Sequence, residues 1–279
     1  MTYNPESGMG IYLAMEGIDG SGQGTIVKGI EEWFAQKGLR TFNLTEAWQD
    51  GVGGAVLRDI YGTTDVCPAY EDLKKYFADS GIKLDSIILC EPTFEGVGLK
   101  IRNHATHEIE GLDVSAEDTA ALYAYNRGIL IPKTILPALQ DGVHVISERS
   151  FVTSVVYQSI QDDGDLEVER IVQIPGNVLA IRNRPDVYII CDLDGLTAVK
   201  RLAMRKKQDK CKFENAPFLD AANTKYQSKW LREMLSGYGC KVVYLSTRDP
   251  RGPKDTERFS VEIIEQALEG RLVSGARFE

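Results

Sequence analysis

The stretch GIDGSGQGT, residues 17–25, decides the reading of this chain. It keeps the glycine frame of the phosphate-loop pattern G-x-x-x-x-G-K-[ST], with Gly17 and Gly22 at the fixed positions. In that pattern the glycines let successive backbone N–H groups turn inward onto a phosphate, the lysine neutralises the β- and γ-phosphates, and the hydroxyl binds Mg²⁺. Here Gln23 stands in the lysine position and Gly24 in the hydroxyl position, with Thr25 directly after. The flanks supply the context that the motif requires. Ile11, Leu13 and Met15 belong to an apolar run ending at Glu16; Ile26, Ile30, Trp33 and Phe34 then recur at helical spacing up to Gly38, a left-handed stop signal. Strand, glycine loop and helix therefore arrive in order. A helix N-terminus turns unpaired N–H groups and a positive dipole end toward the loop, so an anion site survives the loss of the lysine charge.

Composition bounds the rest. With 279 residues, 43% hydrophobic and 26% charged, the chain can bury a substantial core and reads as one elaborated domain, 1–279. A formal net charge of −9 argues against wrapping nucleic acid, whereas a small anionic substrate needs only a local basic pocket. Cys67, Cys90, Cys191, Cys211 and Cys240 are scattered singly, with no C-x-x-C pair, which suits a reducing compartment. No stretch approaches 18 consecutive apolar residues, and MTYNPESGMG lacks a charged-then-apolar signal pattern. A cytoplasmic protein with no membrane span is expected.

Farther along, residues 39–44 can form a second strand, and 46–85, with Gly51, Gly53, Gly54 and a charged helical stretch near Tyr70 to Ser80, reads as an insertion. Asp85 to Cys90 is strand-like and stops at Glu91-Pro92-Thr93. Glu117 to Leu139 has a helical pattern that Pro132 should kink. Val143–Ser147, Pro185–Leu193 and Lys241–Ser246 read as strands; 196–207, 218–235 and 256–268 read as helices. Such alternation predicts an α/β fold with a mainly parallel central sheet flanked by helices on both faces, which binds ligands at the carboxyl ends of its strands.

Three strings fall where that ligand crevice should lie: EPTFEGVGLKIR (Glu91–Arg102), LYAYNRG (Leu122–Gly128) and SERSFVTSVVYQ (Ser147–Gln158). With GIDGSG and the basic MRKKQDKCKFE (Met204–Glu214), they stand in the order in which the thymidylate kinase family of nucleoside monophosphate kinases carries similar strings. The chain resembles that family over Gly10–Gln36, Asp85–Ser246 and the last helix, leaving 46–85 and 249–256 unmatched. The resemblance implies a P-loop kinase fold with a lid at 204–214, in which Gly17, Gly20, Ser21, Gly22, Gln23, Gly24 and Thr25 hold ATP. It puts Asp19 on the substrate sugar or in proton handling, Tyr123 on the base, and Arg127 with Asn126 at the base edge. Arg149 falls on the acceptor phosphate, with Glu91, Pro92 and Arg102 also on the acceptor side. Tyr157 crowds the sugar 2′ position so that a deoxyribose is favoured, with Ser154 and Gln158 nearby. Glu148 stands where the family has an aspartate that helps to hold Mg²⁺ through water, and Thr25 is a second candidate for the metal. Family lids carry arginines; here Arg205, Lys206, Lys207, Lys210 and Lys212 supply the charge, Arg205 and Lys210 being the catalytic candidates. Cys90 stands where the family often has an arginine.

Taken singly, Arg127 also reads as a surface residue or a carboxylate's partner, Tyr123 as core, and the lid charges as a solvated helix end. His104 and His107, spaced i, i+3, lack surrounding carboxylates or thiols and read as part of a surface helix. The leading function is transfer of the γ-phosphoryl of Mg·ATP to a deoxynucleoside 5′-monophosphate, dTMP favoured, by a homodimer that binds neither nucleic acid nor membrane. The rival is a nucleotide-binding sensor or scaffold of the same fold that has lost turnover, which Gln23, Gly24 and Glu148 favour. A GTPase switch ranks below both, because no N-K-x-D string occurs.

Overall fold

The computed structural model describes residues 8–107, 114–161, 166–205 and 211–279. β1 (Tyr12–Glu16) runs into the glycine loop and α1 (Gln23–Gln36). β2 (Thr41–Asn43) leads into α2 (Leu44–Trp48), α3 (Gly54–Tyr61) and α4 (Tyr70–Asp79), which fill most of segment 46–85. β3 (Ser86–Cys90) follows, then α5 (Gly96–Lys100), which continues as a π-helical turn (Ile101–Ala105). α6 (Ala116–Leu130), a second π-helical turn (Ile131–Ile135) and α7 (Leu136–Gln140) return the chain to β4 (His144–Glu148). α8 (Phe151–Tyr157), α9 (Val168–Gln173) and α10 (Pro175–Arg182) precede β5 (Val187–Asp192). α11 (Gly195–Ala203), α12 (Ala216–Tyr226), α13 (Lys229–Gly237), β6 (Lys241–Ser246), α14 (Pro253–Leu268) and β7 (Arg277–Phe278) complete the described elements.

The seven strands form one sheet in the order β2-β3-β4-β1-β5-β6-β7, and every pairing is parallel. A parallel sheet covered on both faces needs apolar side chains on both, which is why β1, β3 and β5 read as nearly unbroken hydrophobic runs. Leu13, Met15, Ile146, Ile189 and Val243 face Ile26, Ile30 and Phe34 of α1 and Phe259, Ile263 and Ile264 of α14. Their neighbours Tyr12, Ala14, Val145, Tyr188 and Val242 belong to the larger core on the opposite face, with Val152, Val155, Leu219 and Leu235. Each fully buried Leu, Ile or Phe contributes about 1.5–3 kcal/mol. β1 sits at the centre, between β4 and β5, so the loops after these three strands meet at one end of the sheet.

Two elements depart from the sequence reading. The helix expected over 218–235 is two helices, because Ser228 caps the second: its Oγ accepts from Leu231 N at 3.1 Å. The helix expected from 256 begins at Pro253. Pro132 acts as expected. It has no N–H to donate, and the backbone widens into a π-helical turn at Ile131–Ile135.

Candidate active site

The loop after β1 is shaped by close approach. At Gly17, φ is +146°, and an added Cβ would lie 2.7 Å from Ser21 Oγ and 2.9 Å from Cys191 Cβ, so only glycine lets the chain pass β5. Gly22 occupies the N-cap of α1 in the left-handed region, φ +94°, and no side chain caps the helix. The first-turn N–H groups of a 14-residue helix are thereby left facing the loop, a ready anion site.

Gln23 turns inward. Its side chain is 4% exposed, and Nε2 donates to Gly17 O at 3.2 Å. The same carbonyl accepts from Arg149 Nη1 at 3.1 Å, across from the end of β4. Arg149 Nη2 donates to Asp19 Oδ1 at 2.7 Å, and Tyr157 OH donates to Asp19 Oδ2 at 3.0 Å while accepting from Asp19 N at 3.2 Å. Loop, β4 end and α8 are thus joined through Asp19. Burial pushes the Tyr157 hydroxyl well above its ordinary pKa, and the Asp19 carboxylate beside it adds to the effect, so it stays a donor.

Behind this layer lies Glu16, the last residue of β1. Its carboxylate accepts from Ser150 Oγ at 2.6 Å, Thr153 Oγ1 at 2.8 Å and Tyr226 OH at 3.0 Å. Burial raises its pKa, against the pull of the hydroxyls and of Arg149. None of these partners was read as functional from the sequence. The available signal was position alone: Glu16 precedes Gly17, and Ser150 and Thr153 flank Arg149.

Arg127 is where the sequence reading needs correction. It was expected on a base edge, yet it is 1% exposed and spent on the protein. Nε donates to Glu91 Oε2 at 2.6 Å, Nη1 to Ser154 Oγ at 3.0 Å and Asn177 Oδ1 at 2.8 Å, and Nη2 to Ser150 O at 3.0 Å. A guanidinium has five N–H donors, so one remains. Burial raises the pKa of Glu91, and Arg127 opposes it. Asn126 is likewise committed: it exchanges hydrogen bonds with Thr93, 3.1 Å from Thr93 N and 2.8 Å to Thr93 Oγ1. Arg102 Nε donates to Pro92 O at 3.0 Å, its Nη2 lies 3.4 Å from Cys90 Sγ, and the guanidinium covers Phe94. These residues brace the Glu91-Pro92-Thr93 turn.

Tyr123 packs with Ile101, Val97 and Val114 in a small apolar cluster, its ring 5.6 Å from the Arg127 guanidinium. Gln158 is buried beyond Tyr157, with its Oε1 lacking a hydrogen-bond partner. A cleft of about 510 Å³ opens beside Gly24 and Glu148 and is lined further by Lys28, Glu31, Asn43 and Thr45. Thr25 begins one helical turn with its N–H on Gly22 O at 3.0 Å. Arg205 is exposed; Lys206, Lys207 and Lys210 lie outside the described residues. Cys211–Phe213 folds back on the site. Lys212 N donates to Thr106 O at 2.9 Å, and Phe213 stacks on Phe218 and meets the Tyr157 ring edge-on at 5.7 Å. His107 bonds Thr106 Oγ1, and among the described residues no group of three His, Cys, Asp or Glu could hold a metal.

A family model described as thymidylate kinase matches residues 68–236, more than half of the 279 residues. The chain belongs to the thymidylate kinase family. Three relatives illustrate the likeness. A thymidylate kinase of Caldicellulosiruptor saccharolyticus is 32% identical over 146 residues, covering 52% of this chain and 68% of that one. A probable thymidylate kinase of Pyrococcus horikoshii is 29% identical over 198 residues, 70% and 71% of the two chains. A thymidylate kinase of Leptospira borgpetersenii is 24% identical over 231 residues, 83% and 86%. The expected α/β fold, a parallel sheet with helices on both faces, is the fold observed. In this thymidylate kinase family member the family match starts after the glycine loop, so the phosphate-site reading stands on the loop's own geometry. No helix among the described residues is long and apolar enough to cross a membrane.

Proposed function

We propose that the chain moves the γ-phosphoryl of ATP onto the 5′-phosphate of a deoxynucleoside monophosphate, with dTMP the favoured acceptor. One observation carries this reading: Arg149 links the loop carbonyl of Gly17 to Asp19, and Asp19 to Tyr157, so donor loop and acceptor wall share one hydrogen-bonded unit. Phosphoryl transfer demands little covalent chemistry from a protein and much positioning and charge stabilisation, which is what such a unit can provide. The backbone amides of Gly20, Ser21, Gly22 and Gly24, with Thr25, receive the donor phosphates at the start of α1. Tyr157, fixed by Asp19, walls the sugar, and Tyr123 supplies the apolar surface for the base. Arg127 and Asn126 act one step back, holding Glu91, Ser154 and Thr93 in place. Arg205 and Lys210, on the 204–214 lid, add charge when it closes over both phosphates, excluding water.

The residues present fit a magnesium ion. A Cβ at Gly24 would meet nothing within 4 Å, Thr45 Oγ1 is buried without a hydrogen-bond partner, and both line the cleft that Glu148 faces. Carboxylate and hydroxyl oxygens are the hard donors that Mg²⁺ takes, together with waters and substrate phosphates. Bound there, the ion would neutralise charge on the phosphates; Glu148 and Thr25 are its assigned holders, through water. The reading extends to one domain over 1–279, a homodimer using the exposed Leu122 and Tyr125 of α6, and a cytoplasmic setting suited to five free cysteines.

The test is ADP release from ATP and Mg²⁺ over dTMP, dUMP, dCMP, dGMP and AMP. Turnover with dTMP supports the proposal. No release above background with any acceptor overturns it in favour of the non-catalytic binder, and turnover with every acceptor except dTMP overturns the substrate assignment.

A further inference from the structure

Gln23 removes a positive charge from the place where a phosphate loop concentrates it. Its carboxamide ends at Gly17 O, and the carbonyl it reaches is also the one that Arg149 Nη1 reaches. We propose that Arg149 takes over the work of the missing loop lysine and grips the γ-phosphate of the bound triphosphate. The proposal rests on the phosphotransferase reading above and assigns this arginine to the donor phosphates as well as the acceptor side.

The chain spends conformational energy to put Arg149 there. Arg149 is a non-glycine residue with φ +73°, a left-handed conformation that costs about 1–2 kcal/mol. It is imposed directly after β4, where Arg149 N donates to Met15 O at 2.9 Å. From that position Nη1 meets Gly17 O at 3.1 Å and Thr153 Oγ1 at 3.4 Å, and Nη2 meets Asp19 at 2.7 Å. The side chain is only 12% exposed, so its charge is poorly screened by solvent. A guanidinium also presents a planar fork that matches phosphate oxygens.

Other cations near the loop are occupied elsewhere. Lys28, the basic residue in the middle of α1, is exposed and pairs with Glu32 and Glu257. Arg127 is committed to the interior, Arg102 to Pro92 O, and Arg201 to Thr247 O at 2.7 Å. Among the described residues, Arg149 is the cation hydrogen-bonded to the loop backbone.

The experiment measures binding without an acceptor. Wild type, Arg149→Gln, Gln23→Lys and the double variant are titrated with ADP and with a non-hydrolysable ATP analogue at fixed Mg²⁺, and the ratio of the two dissociation constants is read. Wild type should prefer the triphosphate by roughly tenfold or more, the worth of a charge-assisted hydrogen bond. Arg149→Gln should bring the ratio to about 1 while ADP affinity stays within about threefold, because loop amides hold the shared phosphates. Adding Gln23→Lys to Arg149→Gln should restore the preference, whereas Gln23→Lys alone should change it little. An unchanged ratio in Arg149→Gln overturns the assignment. So does equal loss of both nucleotides, or a Gln23→Lys gain of the same factor in both backgrounds. Turnover measured in parallel keeps the two ideas apart: a wild type with triphosphate preference but no ADP release with dTMP overturns phosphotransfer and leaves the arginine's binding role standing.

Discussion

Glu16 shows how a residue that touches no ligand sets the site's shape. Its carboxylate is fully buried at the end of β1 and ties Ser150, Thr153 and Tyr226 together behind Arg149. Removing it as Glu16→Ala leaves three buried hydroxyls without their acceptor, at about 1–3 kcal/mol for each group left unsatisfied. The expected result is a thermal midpoint several degrees below wild type and a lower kcat, since Thr153 also steadies Arg149. Arg149 itself was legible, because an arginine directly after a buried strand must face the crevice. Arg127 was legible as a special residue but not in its role, since its partners lie 36 and 50 positions away, at Glu91 and Asn177. Only folding brings them together. Gln23 was read correctly as a lost charge, while its hydrogen bond to Gly17 O depends on a rotamer that no sequence pattern specifies.

The long strands could be read as elements because both faces of the sheet are covered, so each became an apolar run. β7, two residues long, and α2, five residues long, carry no period to detect, and segment 46–85 was therefore seen as irregular where α3 and α4 also form. The break between α12 and α13 turns on a single cap. Ser228→Ala should lower stability by about 1 kcal/mol, seen as a drop of a few degrees in the thermal midpoint. The strap 211–213 belongs to this scale too. Phe213 presses on Tyr157, which holds Asp19, so Phe213→Leu should raise the KM for dTMP several-fold while ADP affinity stays unchanged. Equal weakening of both nucleotides would show that the strap serves the whole site and not the acceptor side.

For the molecule as a whole, pH enters through the end of the sheet opposite the ligand crevice. Asp186 accepts Tyr12 N–H at 2.7 Å, and burial pushes its pKa up to about 7, against the pull of that N–H and of Arg184. In the unfolded chain an aspartate titrates near 3.9. The folded state thus holds this proton more tightly: its contribution to stability is full below about pH 4, falls as pH rises toward 7, and is level above it. Asp186→Asn keeps an acceptor for Tyr12 and should melt higher than wild type at pH 8, by on the order of 2 kcal/mol, with the gap closing toward pH 4. A constant gap across that range would mean that the carboxyl is not the titrating group. At this scale, fold class and the order of the functional strings were open to reading from sequence, whereas the way Asp19, Arg149 and Tyr157 close into one unit was not.

The central claim is that a phosphate loop with glutamine in place of lysine still serves transfer because Arg149 stands on it. Formation of dTDP from dTMP and Mg·ATP, followed for wild type and for Arg149→Gln, tests it most directly. Wild type should form dTDP, and the variant should be slower by about 10²–10³, the usual loss for one preorganised donor. No dTDP from wild type, or equal rates from both proteins, would contradict it.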